Sequence, residues 1–269
     1  MEVTPPAGLR YALMQHTLEI PPVEKLRRAF ESVPSLTAAD APGVANDAYG
    51  ILVKNMSLQD ATRLQQALGE QGIATELVPE NLLPGLPATR FVRQAEFSPD
   101  ALLIHDPMGR HIAIEWAHVR IIAVGQFETT RFERREMPPS SVNPITLAVR
   151  PFAPNLPNLE PIPEGRMASV RVMQTWVELI LGQGAARCTF EIEGRRPMLF
   201  DTLGDRRTSD FNQDLALFVR ELSGYAPQAL MNRRAFFLRE DPPVRFGYPT
   251  RNAFHEELIW MLWQSGRRL

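Results

Sequence analysis

The stretch "PTRNAFHEELIWMLWQSGRRL", from Pro249 to Leu269, constrains the fold more than any other. It predicts a helix over about 251–264. Thr250 or Asn252 is placed to cap its start, Glu256 and Glu257 lie in its first half, and Arg267 and Arg268 follow its end, as the helix dipole favours. Phe254, Leu258, Met261 and Leu262 form one apolar stripe. Ile259, Trp260 and Trp263 widen it almost to the whole circumference. A helix of this kind needs cover on more than one side, so it lies between two parts of the chain or in a dimer interface. Phe254, Ile259, Trp260 and Trp263 are therefore the candidate partner interface, with plain core packing as the competing assignment.

The N-terminal part alternates strand and helix patterns. "LRYALMQHTLEI" is a strand candidate closed by Pro21 and Pro22. Val23, Leu26, Phe30 and Val33 then recur at helical spacing. "TAAD" at Thr37–Asp40 has the form of a capping box, and Pro42 and Gly43 predict a short or kinked helix after it. After the strand "YGILV", Ser57 caps a helix whose inner stripe is Leu58, Ala61, Leu64 and Leu68. Gly72 stops it before the strand "IATELV". The strands flanking that helix are expected to be parallel, joined by a right-handed crossover. The order β-α-α-β-α-β resembles a ferredoxin-like α/β sandwich with one strand missing, and covers residues 1–83. Pro84, Gly85 and Pro87 mark residues 84–96 as a linker.

Beyond it, "DALLIHDPMGRHIAIEWAHVRIIAVGQF" (Asp100–Phe127) reads as three strands. The first two are joined by a turn at Asp106–Gly109, with Ile112, Ile114 and Trp116 on one face and His111, Ala113 and Glu115 on the other. Residues 128–167 are rich in proline and lack periodicity, which marks a long irregular insertion. Its apolar residues, including Ile145, Leu147, Val149, Phe152, Leu156 and Leu159, predict that part of it packs on the protein or on a partner. Within it "RFERRE" (Arg131–Glu136) reads as a solvated loop. Strands return at "SVRVMQTWVELIL", "ARCTFEIEG" and "PMLFDTL", with Gly182–Ala185 as a hairpin loop. Phe211, Leu215, Phe218, Val219 and Leu222 then define an amphipathic helix that Ser209 can cap. Antiparallel strands closed by one such helix resemble the pleckstrin-homology (PH) or GRAM-like barrel over residues 97–226, carried by "ALLIHDPMGRHIAIEWAHVRIIAVG" and "FNQDLALFVREL". The expected class is α+β: a ferredoxin-like domain, a PH-like antiparallel β-barrel with a capping helix, and a C-terminal extension over 227–269.

Composition narrows the chemistry. A net charge of −2 argues against a dedicated nucleic-acid binder, and of 29 basic residues only Lys25 and Lys54 are lysines. No basic, then apolar, leader and no run of about 18 apolar residues is present, so a cytoplasmic protein is expected. The single cysteine, Cys188, alternates in phase with Phe190 and Ile192. It reads as a small core residue and cannot form a disulfide or a thiolate zinc site within the chain.

Three of the five histidines, His105, His111 and His118, sit near Glu115. His111 and Glu115 are four strand residues and roughly 13 Å apart, too far for one ion on a straight strand. No metal, cofactor or catalytic residue is assigned. "GQG" lacks the rest of a dinucleotide fingerprint, and carboxylate pairs such as Glu191 with Glu193 or Glu256 with Glu257 read as solvated faces. Phosphoinositide binding is disfavoured because the first hairpin offers only Arg110, opposed by Asp106.

The expected function is a non-catalytic interaction or scaffold protein that binds a protein partner or self-associates. The alternatives are an enzyme with a cleft between its two parts, drawing on Arg131, Arg134, Glu136 and the histidines, and a peripheral lipid binder.

Overall fold

The protein is described from a computed structural model covering residues 8–47, 49–92, 94–105, 111–136, 165–182, 184–192, 197–240 and 247–267. It is a mixed α+β protein. The chain divides into two compact units, one made of Met1–Phe127 with Gln174–Leu269, the other of Glu128–Met173.

The first unit opens with β1 (Tyr11–Gln15), α1 (Val23–Phe30), α2 (Ala41–Asp47), β2 (Ile51–Met56), α3 (Leu58–Glu70) and β3 (Thr75–Pro79). The sheet order is β2-β1-β3, with β1 antiparallel to both neighbours. The strands joined through α3 are therefore parallel to each other, but straddle β1. Ser57 caps α3 by accepting the Asp60 amide at 3.1 Å. Alternation along β1 sends Tyr11 and Leu13 to the side covered by α1 and α3, where Leu26, Phe30, Leu64 and Leu68 are buried. Ala12 and Met14 face the other way.

The stretch expected to be a linker contains two strands, β4 (Thr89–Val92) and β5 (Ala95–Phe97). β5 forms an antiparallel three-stranded sheet with β6 (Ala101–His105) and β7 (His111–Glu115). The predicted alternation appears in β7, where Ile114 is buried while His111, Ala113 and Glu115 are exposed. The turn Asp106–Gly109 lies outside the described residues. The larger sheet runs β11-β8-β9-β10-β4, from β8 (Val119–Glu136), β9 (Gly165–Leu181), β10 (Ala186–Ile192) and β11 (Leu230–Met231). It is mixed rather than purely antiparallel: β4 lies parallel to β10, and β11 parallel to β8.

Three local expectations are corrected. "RFERRE" is strand, the end of β8, rather than loop. "PMLFDTL" lies in the 3-10 segment Met198–Arg206. Leu199, Phe200 and Leu203 are buried there at helical spacing, not in alternation, and Pro197 precedes the first turn. The helix α4 (Phe211–Tyr225) is capped by Asp210, not Ser209; the carboxylate accepts the amides of Asn212 at 2.7 Å and Gln213 at 3.1 Å. Its predicted stripe is buried against one face of the large sheet, among Ile122, Val124, Val177, Leu179, Cys188 and Phe190.

Two further helices follow, α5 (Arg233–Glu240) and α6 (Arg251–Arg267). α6 is capped by Thr250, whose Oγ1 accepts the Ala253 amide at 3.1 Å. It packs between two sheets. Phe254, Leu258, Met261 and Leu262 meet the other face of the large sheet, with Ile121, Ala123, Phe127, Trp176 and Ile180. Ile259, Trp260 and Trp263 meet Ala12, Met14, Ile51 and Val78 of the first sheet. Both approaches are close enough to require glycine. A β-carbon on Gly125 would stand 2.8 Å from the Phe254 ring, and one on Gly50 (φ 93°) 2.3 Å from Trp260. Among the described residues, no helix is long and apolar enough to cross a membrane.

The described part of the second unit consists of strand residues 128–136 and 165–173. Glu128 pairs with Arg171 at 3.7 Å. Ile145, Leu147, Val149, Phe152, Leu156 and Leu159 lie outside the described residues.

Candidate functional site

α6 carries ionisable as well as apolar side chains toward the large sheet, and two polar clusters form around them. The first centres on Glu257, fully buried. Its carboxylate accepts the Tyr248 hydroxyl at 2.6 Å and the Arg233 amide at 3.0 Å. The Arg233 guanidinium lies 3.8 Å away, over the Tyr49 ring at 4.9 Å, and donates to the Leu18 carbonyl at 2.9 Å. Asn232, also fully buried, donates to the Tyr248 oxygen at 2.7 Å and to the Val124 carbonyl at 3.0 Å. Its own carbonyl accepts the amides of Val124 and Ala235 at 3.0 Å. One amide side chain thus extends β8 and caps α5 together. Burial pushes the Glu257 carboxyl up, against hydrogen bonds from Arg233 and Tyr248 that lower it. Burial also pushes the Tyr248 phenol well above its ordinary value, and the neighbouring Glu257 adds to the effect.

The second cluster lies where α6 crosses β9 and β10. Glu178, fully buried, accepts the Thr189 hydroxyl at 3.2 Å and faces Arg187 at 3.5 Å and His255 Nε2 at 3.6 Å. Arg187 Nη1 is 3.4 Å from the same His255 nitrogen, and Thr89 Oγ1 closes the set against Thr189. Arg251 stacks over Trp176 at 4.3 Å beside it. Histidine, arginine and carboxylate together could move a proton. Here, however, the carboxylate is sealed from water and the imidazole is turned toward groups of the protein. The arrangement holds α6 to the sheet.

The sequence-selected residues fall elsewhere. Phe254 is fully buried, and Ile259, Trp260 and Trp263 are half-buried against the first sheet, with Trp260 Nε1 donating to the Gln15 carbonyl at 2.6 Å. Much of this stripe packs within the chain, against the first sheet and the large sheet. His105 and His111 face each other across their hairpin with ring centres 4.2 Å apart, and His105 Nε2 is 3.3 Å from Glu96. His118 pairs with Glu115 at 3.9 Å. Among the described residues, no three His, Cys, Asp or Glu side chains converge as metal ligands would. Cys188 is buried in the core and burial pushes its thiol up, opposed by the charge of Arg90. Glu256 and Glu257, expected on a solvated face, are instead engaged: Glu256 pairs with Lys54, and Glu257 is internal. Arg110, Asp106 and Glu193 lie outside the described residues, as do the side chains of Arg134 and Glu136.

Neither cluster was singled out in the sequence. A signal existed for Glu178: it alternates in phase with Trp176 and Ile180 in an apolar strand, so it had to be buried and paired. Nothing local marked Asn232 or Tyr248.

The first unit also has cavities. One of about 320 Å³ lies at the C-terminal end of α6, beside Trp263 and Arg120. Another, of about 440 Å³, lies beside Arg207 and Asp214. In the second unit, Phe132 and Met173 are 66% and 59% exposed, and Val170 is also exposed.

Fold and site together define a mixed α+β protein with a helix clamped between two sheets. The chain matches no protein-family model, no characterised protein and no solved structure.

Proposed function

We propose that this is a non-catalytic interaction protein, and that the second unit makes its contacts by self-association. The supporting observation is the exposure of Phe132 and Met173 on strand residues. Large apolar side chains in extended backbone favour burial against another chain. Among the described residues, no strand other than β8 and β9 pairs with 128–136 or 165–173. Two strands alone are marginally stable in water, and a second copy would supply further pairing. The ionisable clusters of the first unit, by contrast, have a sufficient role in fastening α6.

Analytical ultracentrifugation of the full chain over a concentration series tests this. The mass should rise with concentration, and Phe132→Ser with Met173→Ser should hold the protein monomeric with its circular-dichroism spectrum unchanged. A monomer at all concentrations would exclude self-association through this surface.

The finer class belongs to the same proposal. The order β2-β1-β3, with both outer strands antiparallel to β1, supports a ferredoxin-like first sheet lacking an edge strand. The packing of α4 against the strands that precede it supports a PH-like second part. A reduced, buried Cys188 is compatible with the cytoplasm.

A further inference from the structure

The cavity at the end of α6 is walled by segments far apart in sequence: the turn around Leu82 and Pro84, Arg120 at the start of β8, the β9–β10 hairpin, and Trp263 with Arg267 on α6. Among the described residues, two arginines line it and no carboxylate does. Arg267 is already satisfied, since it pairs with Glu76 and lies over the Trp263 ring at 4.9 Å. Arg120 is different. It is half-buried and makes no hydrogen bond or ion pair among the described residues. The indole N–H of Trp263, which also lines the cavity, is buried and has no hydrogen-bond partner among the described residues. A half-buried arginine without a counter-charge among the described residues, next to an aromatic and aliphatic wall, suits an anion with an apolar body.

We propose that this cavity binds a small carboxylic acid with an apolar body. Its carboxylate would pair with Arg120, and its apolar body would lie along Trp263, Leu82 and Pro84. The geometry favours a single negative charge, because Arg120 is the one lining cation whose charge is not already met by a described carboxylate. At about 320 Å³ the space suits a metabolite-sized ligand rather than a peptide. The site is distinct from the exposed strands of the second unit, and its occupancy does not depend on self-association.

The test uses the full chain and three probes: 2-naphthoate, its neutral counterpart 2-naphthamide, and inorganic phosphate. Binding is followed by calorimetry and by the Trp263 indole N–H resonance, assigned with Trp263→Phe. Naphthoate should bind and shift that resonance, and the amide and phosphate should bind at least tenfold more weakly. Arg120→Gln should lower naphthoate affinity by roughly tenfold or more, the scale of a charge-assisted hydrogen bond. Arg120→Lys should retain part of it. Gly85→Leu fills the cavity from a position where a β-carbon meets no atom within 4 Å, and should abolish binding at unchanged melting temperature. Equal affinity for acid and amide, unchanged affinity in Arg120→Gln, or no response to any probe would each overturn the proposal.

Discussion

Trp260 stands against Gly50 so closely that a β-carbon on the glycine would lie 2.3 Å from the indole ring. The glycine also sits at a φ of 93°, which side-chain-bearing residues rarely adopt. Gly50→Ala should therefore combine overpacking with backbone strain and lose about 3 kcal/mol or more. Urea unfolding measures this, and a variant within about 1 kcal/mol of the parent would show that the helix can withdraw from the sheet at little cost.

Trp260→Ala tests the same contact from the other side. The ring is packed on Ala12, Met14, Ile51 and Val78, and its N–H bonds the Gln15 carbonyl. Truncating such a side chain costs about 3–5 kcal/mol. The melting temperature should fall while the oligomeric mass stays the same. A change in mass at constant stability would return Trp260 to the role of a partner contact.

Glu257 predicts a pH dependence. Burial raises its carboxyl above the ordinary value of 4.5. The folded state then holds a proton that the unfolded chain has released, and stability falls as pH rises from about 4.5 through the folded-state value. Glu257→Gln removes that proton equilibrium. The stability of the parent relative to the variant should decline across this window, as seen in denaturant melts at stepped pH. Parallel curves would show that the carboxylate is not the group responsible.

Glu178 and Arg187 make the fourth test. Glu178→Gln leaves Arg187, only 8% exposed, without this charge partner. Breaking a buried pair from one side costs about 3–5 kcal/mol, whereas replacing both partners with apolar residues is often neutral. Glu178→Met with Arg187→Met should recover most of the loss. Additive losses in the double-mutant cycle would mean the two side chains do not interact.

Periodicity made much of the secondary structure legible. The alternation of β7, the stripe of α4 and the order of the first six elements follow from which residues must leave water. "PMLFDTL" has apolar residues that suit a strand or a tight helical turn, and only the surroundings of Leu199, Phe200 and Leu203 select the turn. "RFERRE" carries charges suited to a loop, yet continues β8. His105, His111 and His118 are close in sequence, while His255, Glu178 and Arg187 meet only through the fold.

The sequence by itself determined that the last helix is apolar nearly all round and must be covered on two sides, because exposed Trp and Leu surface is costly in water. It could not say by what. Tertiary structure decided that its cover is two sheets of the same chain, since glycines at 50 and 125 let the backbone come within reach of Trp260 and Phe254. It also decided which charges are buried, because the desolvation of Glu178 and Glu257 depends on neighbours that no local pattern specifies.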